Sequence, residues 1–196
     1  AVGGNSTVGG TSTGQITLGN ALIADSTTLT VSAAAATPIS LAAVTGAAGG
    51  VLTSSNLTIN TAGAVTVSGA VGTDIGTLTI TKSGGTSFGS TVDAATIAIT
   101  DSAVGTTVAF TGNTNATAMT VGAGTAAYNV SLTGASNTIA NPTTFANTGT
   151  LTLGDGAGPD TINFTGGVIA TTQTGATNGI NLNGTVTAAG IGVITL

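Results

Sequence analysis

The chain has 196 residues and a formal net charge of -5, carried by six Asp (Asp25, Asp74, Asp93, Asp101, Asp155, Asp160) and one Lys (Lys82). It contains no His, Cys, Trp, Arg or Glu, which excludes disulfide staples, thiolate metal sites and a basic patch for nucleic-acid phosphates. Charged residues make up 4% and hydrophobic residues 41%; such a chain is too apolar for disorder and, with no run of about 18 apolar residues, too interrupted for a membrane-inserted helix.

The chain opens on Ala1 with no basic and apolar leader before it, as expected of a mature secreted chain or of a segment of a longer one. From Ala1 to Gly14 the only large apolar residues are Val2 and Val8. This stretch is expected as a flexible or docking arm, leaving residues 15–196 as a single all-β repeat domain. One pattern then recurs: large apolar, small, large apolar. It occurs at Ile16-Thr17-Leu18, Leu29-Thr30-Val31, Ile39-Ser40-Leu41, Leu57-Thr58-Ile59, Val65-Thr66-Val67 and Leu78-Thr79-Ile80. It continues at Ile97-Ala98-Ile99, Val108-Ala109-Phe110, Met119-Thr120-Val121, Val130-Ser131-Leu132, Leu151-Thr152-Leu153, Ile162-Asn163-Phe164 and Ile180-Asn181-Leu182. Alternation with a period of two in Thr- and Val-rich segments predicts half-buried strands. Ala33 to Ala36 is the one candidate for a helical turn, with Pro38 just beyond it. The most apolar stretch, Ala33 to Val51, is broken by Thr37, Pro38, Ser40, Thr45 and several Gly. Corners are signalled at Gly84-Gly85, Gly112-Asn113, Gly154-Asp155-Gly156, Asn178-Gly179 and Asn183-Gly184, because Gly and Asn tolerate positive φ.

Spacing points to the architecture. The apolar pairs begin at 97, 108, 119 and 130 and again at 151 and 162, a repeated 11-residue step. Many longer intervals come to about 20 residues, as a β-solenoid of stacked short strands requires. About nine or ten such coils, stacked at ~4.8 Å, predict a rod on the order of 45 Å long. Leu, Ile and Val, with Phe88, Phe110, Phe145 and Phe164, are expected inside. The alternative is a β-sandwich, which also shows strands every 8–12 residues or so; the persistent 11-residue register favours the solenoid. The middle residues of the pairs are Thr, Ser, Ala or Asn and are expected to point outward. Their lack of charge is unusual on exposed strands, where Lys or Glu guards against sticking.

In composition and in its Leu-Thr-Ile cores the chain resembles bacterial surface-layer proteins and RTX-type secreted repeat proteins. Gly156-Ala157-Gly158-Pro159-Asp160-Thr161-Ile162 is similar to the second half of the RTX nonapeptide. That resemblance implies Ca²⁺ bound between coils, but only one copy of the motif is present.

Asp155 and Asp160 are therefore the candidate Ca²⁺ ligands, and capping of a Gly-rich corner is the competing reading. Asp74 and Asp93 are candidates for stacking on adjacent coils. Catalysis is not expected: Ser residues have no His to activate them, and Lys82 and Tyr128 are the only non-carboxylate acid–base side chains. No other cofactor is implied. Sequons at Asn5, Asn56, Asn115, Asn129, Asn163 and Asn183 occur as often as such an Asn- and Thr-rich chain produces by chance. The expected function is that of an extracellular, cell-surface structural subunit that self-assembles into a surface layer or filament. Its assembly residues are expected at Ile191, Val193, Ile194 and Leu196. The alternative is an adhesin or passenger segment that binds a surface or a cell-surface polysaccharide. Ice binding is the third reading, from Thr28-Leu29-Thr30, Thr77-Leu78-Thr79, Thr150-Leu151-Thr152 and Thr185-Val186-Thr187. It needs those pairs in register on consecutive coils, and along the chain they look scattered.

Overall fold

The computed structural model describes residues 1–47, 55–173 and 178–196. Residues 48–51, the end of the most apolar stretch, lie outside them. The described residues form strands and no helix; 34–36, the candidate helical turn, form a bend. Every strand pairing is parallel. Parallel neighbours require a long connection, and here each connection is the remainder of one coil. The chain is a β-solenoid.

The strands lie on three faces. Face II is a separate sheet of eight strands: Ile16–Leu18, Ile39–Leu41, Val65–Val67, Thr86–Phe88, Thr107–Phe110, Asn129–Leu132, Leu151–Leu153 and Ile180–Leu182. Face III follows it in each coil, with Ala21–Ile23, Val44–Gly46, Ser136–Ile139, Thr161–Phe164 and Thr185–Thr187. Face I comes next, with Ser6–Gly10, Thr28–Ala33, Ser55–Thr61, Thr143–Phe145, Gly167–Ile169 and Val193–Thr195. Three long strands, Val71–Lys82, Val92–Ile99 and Thr114–Val121, run through the corner and serve faces III and I in turn. Their first residues pair with face III neighbours and their last with face I neighbours.

The coil count and repeat differ from the sequence expectation. Among the described residues face II holds eight strands, so the rod has about eight coils and is roughly 38 Å long. Ile16 pairs Ile39, Ile39 pairs Val65, Val65 pairs Thr86, Thr86 pairs Val108, Val108 pairs Val130, Val130 pairs Leu151 and Leu151 pairs Ile180. One coil therefore takes 21 to 29 residues on face II, and on face I the step from Leu78 to Ile97 takes 19. The 11-residue step is half a coil. Ile97 and Met119 stack on face I, while Val108 and Val130 stack on face II. Within the N-terminal stretch Ser6–Gly10 pairs in register with Leu29 to Ala33, and Val2 bridges to Ile23. Backbone pairing to a ready edge places this strand, with little apolar side chain to help.

Apolar ladders fill the interior. From face I come Leu29, Leu57, Leu78, Ile97 and Met119, and beside them Val31, Ile59, Ile80, Ile99, Val121 and Phe145. Face II supplies Leu41, Val67, Phe88, Phe110, Leu132 and Leu153. All are buried, and each aliphatic side chain contributes about 1.5–3 kcal/mol. At the tight II–III corner, Gly112 and Gly134 follow one another in the stack. A Cβ on Gly134 would collide with the Gly112 carbonyl, and one on Gly112 with that of Ser90.

Candidate functional site

The corners are where most of the polar side chains are used. Each coil turns sharply there, and the strand that follows begins with an N–H that its neighbour's ladder does not reach. Asn side chains supply the missing acceptor one coil away. Asn5 Oδ1 accepts from Thr28 N (2.9 Å), Asn56 Oδ1 from Thr77 N (3.0 Å), Asn113 Oδ1 from Ser136 N (3.0 Å) and Asn129 Oδ1 from Thr150 N (2.7 Å). The carboxamides of the sequons at Asn5, Asn56 and Asn129 are thus engaged in the fold. Corner hydroxyls do the complementary work on carbonyls: Thr37 Oγ1 donates to Ser12 O and Thr111 Oγ1 to Phe88 O. Buried backbone groups require such partners.

The carboxylates are placed singly or in service of turns. Asp160, buried, accepts from Asp155 N (2.7 Å), and Asp155 accepts from Ala157 N (2.7 Å). The Gly154–Asp160 corner is thereby capped by its own side chains. Ca²⁺ takes six to eight oxygens or so, and among the described residues no group of three His, Cys, Asp or Glu side chains assembles anywhere. The pair caps the corner through these two hydrogen bonds. Asp74 and Asp93 do not stack on one another. Val71 pairs Val92 and Ile75 pairs Ala94, so Asp74 sits in a bulge, with φ of 62°, while Asp93 lies between Gly72 and Asn115. Asp101 is held by Ser102 N (2.9 Å), Thr125 N (3.1 Å) and Thr125 Oγ1 (2.7 Å). Beside it, Asn60, Thr81, Lys82, Thr100 and Thr125 line an open groove of about 510 Å³.

Tyr128 is fully buried, and its hydroxyl donates to Gly122 O at 2.6 Å. Burial, and secondarily the Asp101 carboxylate, pushes its pKa above the ordinary tyrosine value. It is a structural phenol with its proton committed.

Between the corners the outward side chains form straight columns. On face II one column runs Thr17, Ser40, Thr66, Ser87, Ala109, Ser131, Thr152 and Asn181. On face I another runs Thr7, Thr30, Thr58, Thr79, Ala98, Thr120 and Thr144. A second face I column runs beside it: Thr28, Asn56, Thr77, Thr96 and Ala118. No charged residue enters any of these three columns. The period-two alternation revealed which residues face outward, but not how they align from coil to coil.

The expected assembly residues lie on the last coil. Ile191 is 100% exposed, and Val193, Ile194 and Leu196 are exposed as well, with Leu182 nearby on face II. Ile169, Ile191 and Val193 border a trough of about 320 Å³ on face I.

The structure thus defines a three-sided parallel β-solenoid with uncharged hydroxyl columns on its faces. Compared with protein-family models, curated proteins and solved structures, the chain shows no match. Among the described residues no helix is long and apolar enough to cross a membrane.

Proposed function

We propose that this chain is a structural module of an extracellular surface layer or filament, joined to its neighbours coil on coil. The observation that carries the reading is the coil built from Ile180–Leu182, Thr185–Thr187 and Val193–Thr195. Each of its strands pairs on one side only among the described residues. That open edge is apolar, with Leu182, Ile191, Val193, Ile194 and Leu196 exposed. Open parallel edges are templates for further pairing unless charge or a cap protects them. Among the described residues it has neither, and a further coil, from a second copy or from more of the same repeat, satisfies both its backbone and its apolar side chains.

Negative-stain electron microscopy and sedimentation of the purified chain test this. Ordered polymers are expected, and Ile194→Lys should leave soluble β-rich single copies. Monodisperse rods from the unaltered chain at high concentration overturn the reading. The second reading, an adhesin segment that binds cell-surface polysaccharide, has one observation in its favour. The groove beside Lys82 presents an ammonium, the fixed Asp101 carboxylate and several hydroxyls to one ligand, a set suited to sugar hydroxyls.

A further inference from the structure

We propose that the part of face I formed by Thr28–Ala33, Ser55–Thr61, Val71–Lys82 and Val92–Ile99 is an ice-binding plane. The two outward columns there place Thr28 with Thr30, Asn56 with Thr58, Thr77 with Thr79, and Thr96 with Ala98 on four consecutive coils, in register. The scatter seen along the chain is an effect of unequal coil lengths. Thr28 and Thr77 look unrelated in sequence, yet both pair Asn56. Rungs repeat at ~4.8 Å and alternate residues along a strand at roughly 6.6–6.8 Å, so the side chains form a two-dimensional lattice. Face II carries one such column on its short strands, and on face III Asp93 interrupts the outward positions.

What the lattice presents decides the occupant. Among the described residues, the hydroxyls of Thr28, Thr30, Thr58, Thr77, Thr79 and Thr96 are absent from the protein's own hydrogen bonds, in contrast to the corner hydroxyls of Thr37, Thr111 and Thr133. They are half-buried by their neighbours above and below, and β-branching restricts χ1. Each therefore presents a fixed methyl and an unspent hydroxyl, and a partner bound there costs little side-chain ordering. The columns hold no charge; Lys82 and Asp101 lie at the edge, in the groove described above. An ionic partner gains nothing from such a surface. A crystalline polysaccharide binds through aromatic stacking, and the chain has no Trp and a single Tyr, buried. A neutral, rigid, periodic array of hydroxyls and methyls matches a partner that is itself a neutral periodic array of hydrogen-bonding groups, and in water that partner is ice. The plane ends where Ala118, Gly122 and Pro142 replace the larger side chains and the surface dips into a trough of about 450 Å³.

The test is partition of the whole chain into slowly growing polycrystalline ice, with thermal hysteresis measured alongside. The chain is expected to enter the ice and to shape single crystals. Thr79→Tyr and Thr58→Lys, on the plane, should each reduce both signals about tenfold or more, while Thr66→Tyr on face II leaves them unchanged. Circular dichroism and melting temperature confirm that all three variants are folded. Exclusion of the unaltered chain from ice overturns the proposal. So does equal loss from Thr66→Tyr, as does retention by both folded plane variants. Pelleting of the chain with microcrystalline cellulose, without partition into ice, also overturns it in favour of a polysaccharide surface.

Discussion

Phe88 and Phe110 stack one coil apart inside the solenoid, with ring centroids 4.9 Å apart and planes 12° from parallel. They share a rung pairing on face II, so a single ladder position carries both strand hydrogen bonding and aromatic packing. Phe145 and Phe164 meet differently, edge to face at 5.8 Å, because they approach from faces I and III across the interior.

Phe110→Ala should therefore be among the most damaging single truncations. A loss of about 3–5 kcal/mol is expected from the lost burial and the cavity left behind. Thr111→Ala, its neighbour at the corner, should cost roughly 1 kcal/mol through the lost bond to Phe88 O. Urea unfolding of the two variants checks the ranking; similar midpoints would show that the aromatic stack is not what holds these coils together.

The corner amides make a separate prediction. Asn56→Ala removes the acceptor for Thr77 N without touching the core. It should cost roughly 1 kcal/mol and raise hydrogen exchange at the Thr77 amide, one coil away, rather than at Asn56 itself. Exchange measured residue by residue decides this. Unchanged protection at Thr77 would mean that the coil corner holds without its amide.

Tyr128 gives the chain a response to alkali. Its folded pKa is raised above the unfolded value of about 10. The unfolded chain therefore releases this proton first, and the stabilisation is complete below that pH and is lost as pH rises toward the folded value. Because Tyr128 is the only tyrosine, phenolate absorbance reads it alone. The urea-unfolded chain should ionise at an ordinary tyrosine pH while the folded chain stays protonated. Tyr128→Phe should flatten the alkaline decline in melting temperature. Matching titration curves in the folded and unfolded chains would contradict this assignment.

Period-two alternation was enough to place the thirteen apolar pairs on strands and to set their inward and outward phase. The signal is local: a pleated strand sends successive side chains to opposite sides, and Leu29-Thr30-Val31 or Leu151-Thr152-Leu153 announces this within three residues. Several strands without that triplet stayed hidden. Thr86, Thr114, Asn137 and Thr143 occupy buried positions, and polar residues there erase the apolar pattern from Thr86–Phe88, Ser136–Ile139 and Thr143–Phe145. Ser6–Gly10 gave no sign of itself for a related reason, since its place depends on the edge of Thr28–Ala33.

The sequence by itself determined that this chain is all-β, which residues of its alternating triplets are interior, and that it carries very little charge. Those properties follow from neighbours within a few residues and from composition. Only the tertiary structure decided which residue lies above which. Coil lengths between 19 and 29 residues mean that no fixed spacing predicts the stack, so the pairing of Thr30 with Thr58 and of Thr58 with Thr79 is written in no local motif. It arises because parallel backbone ladders lock each coil to the next, while bulges, such as the one at Asp74, and turns of variable length absorb the extra residues. The columns of face I exist only at that level.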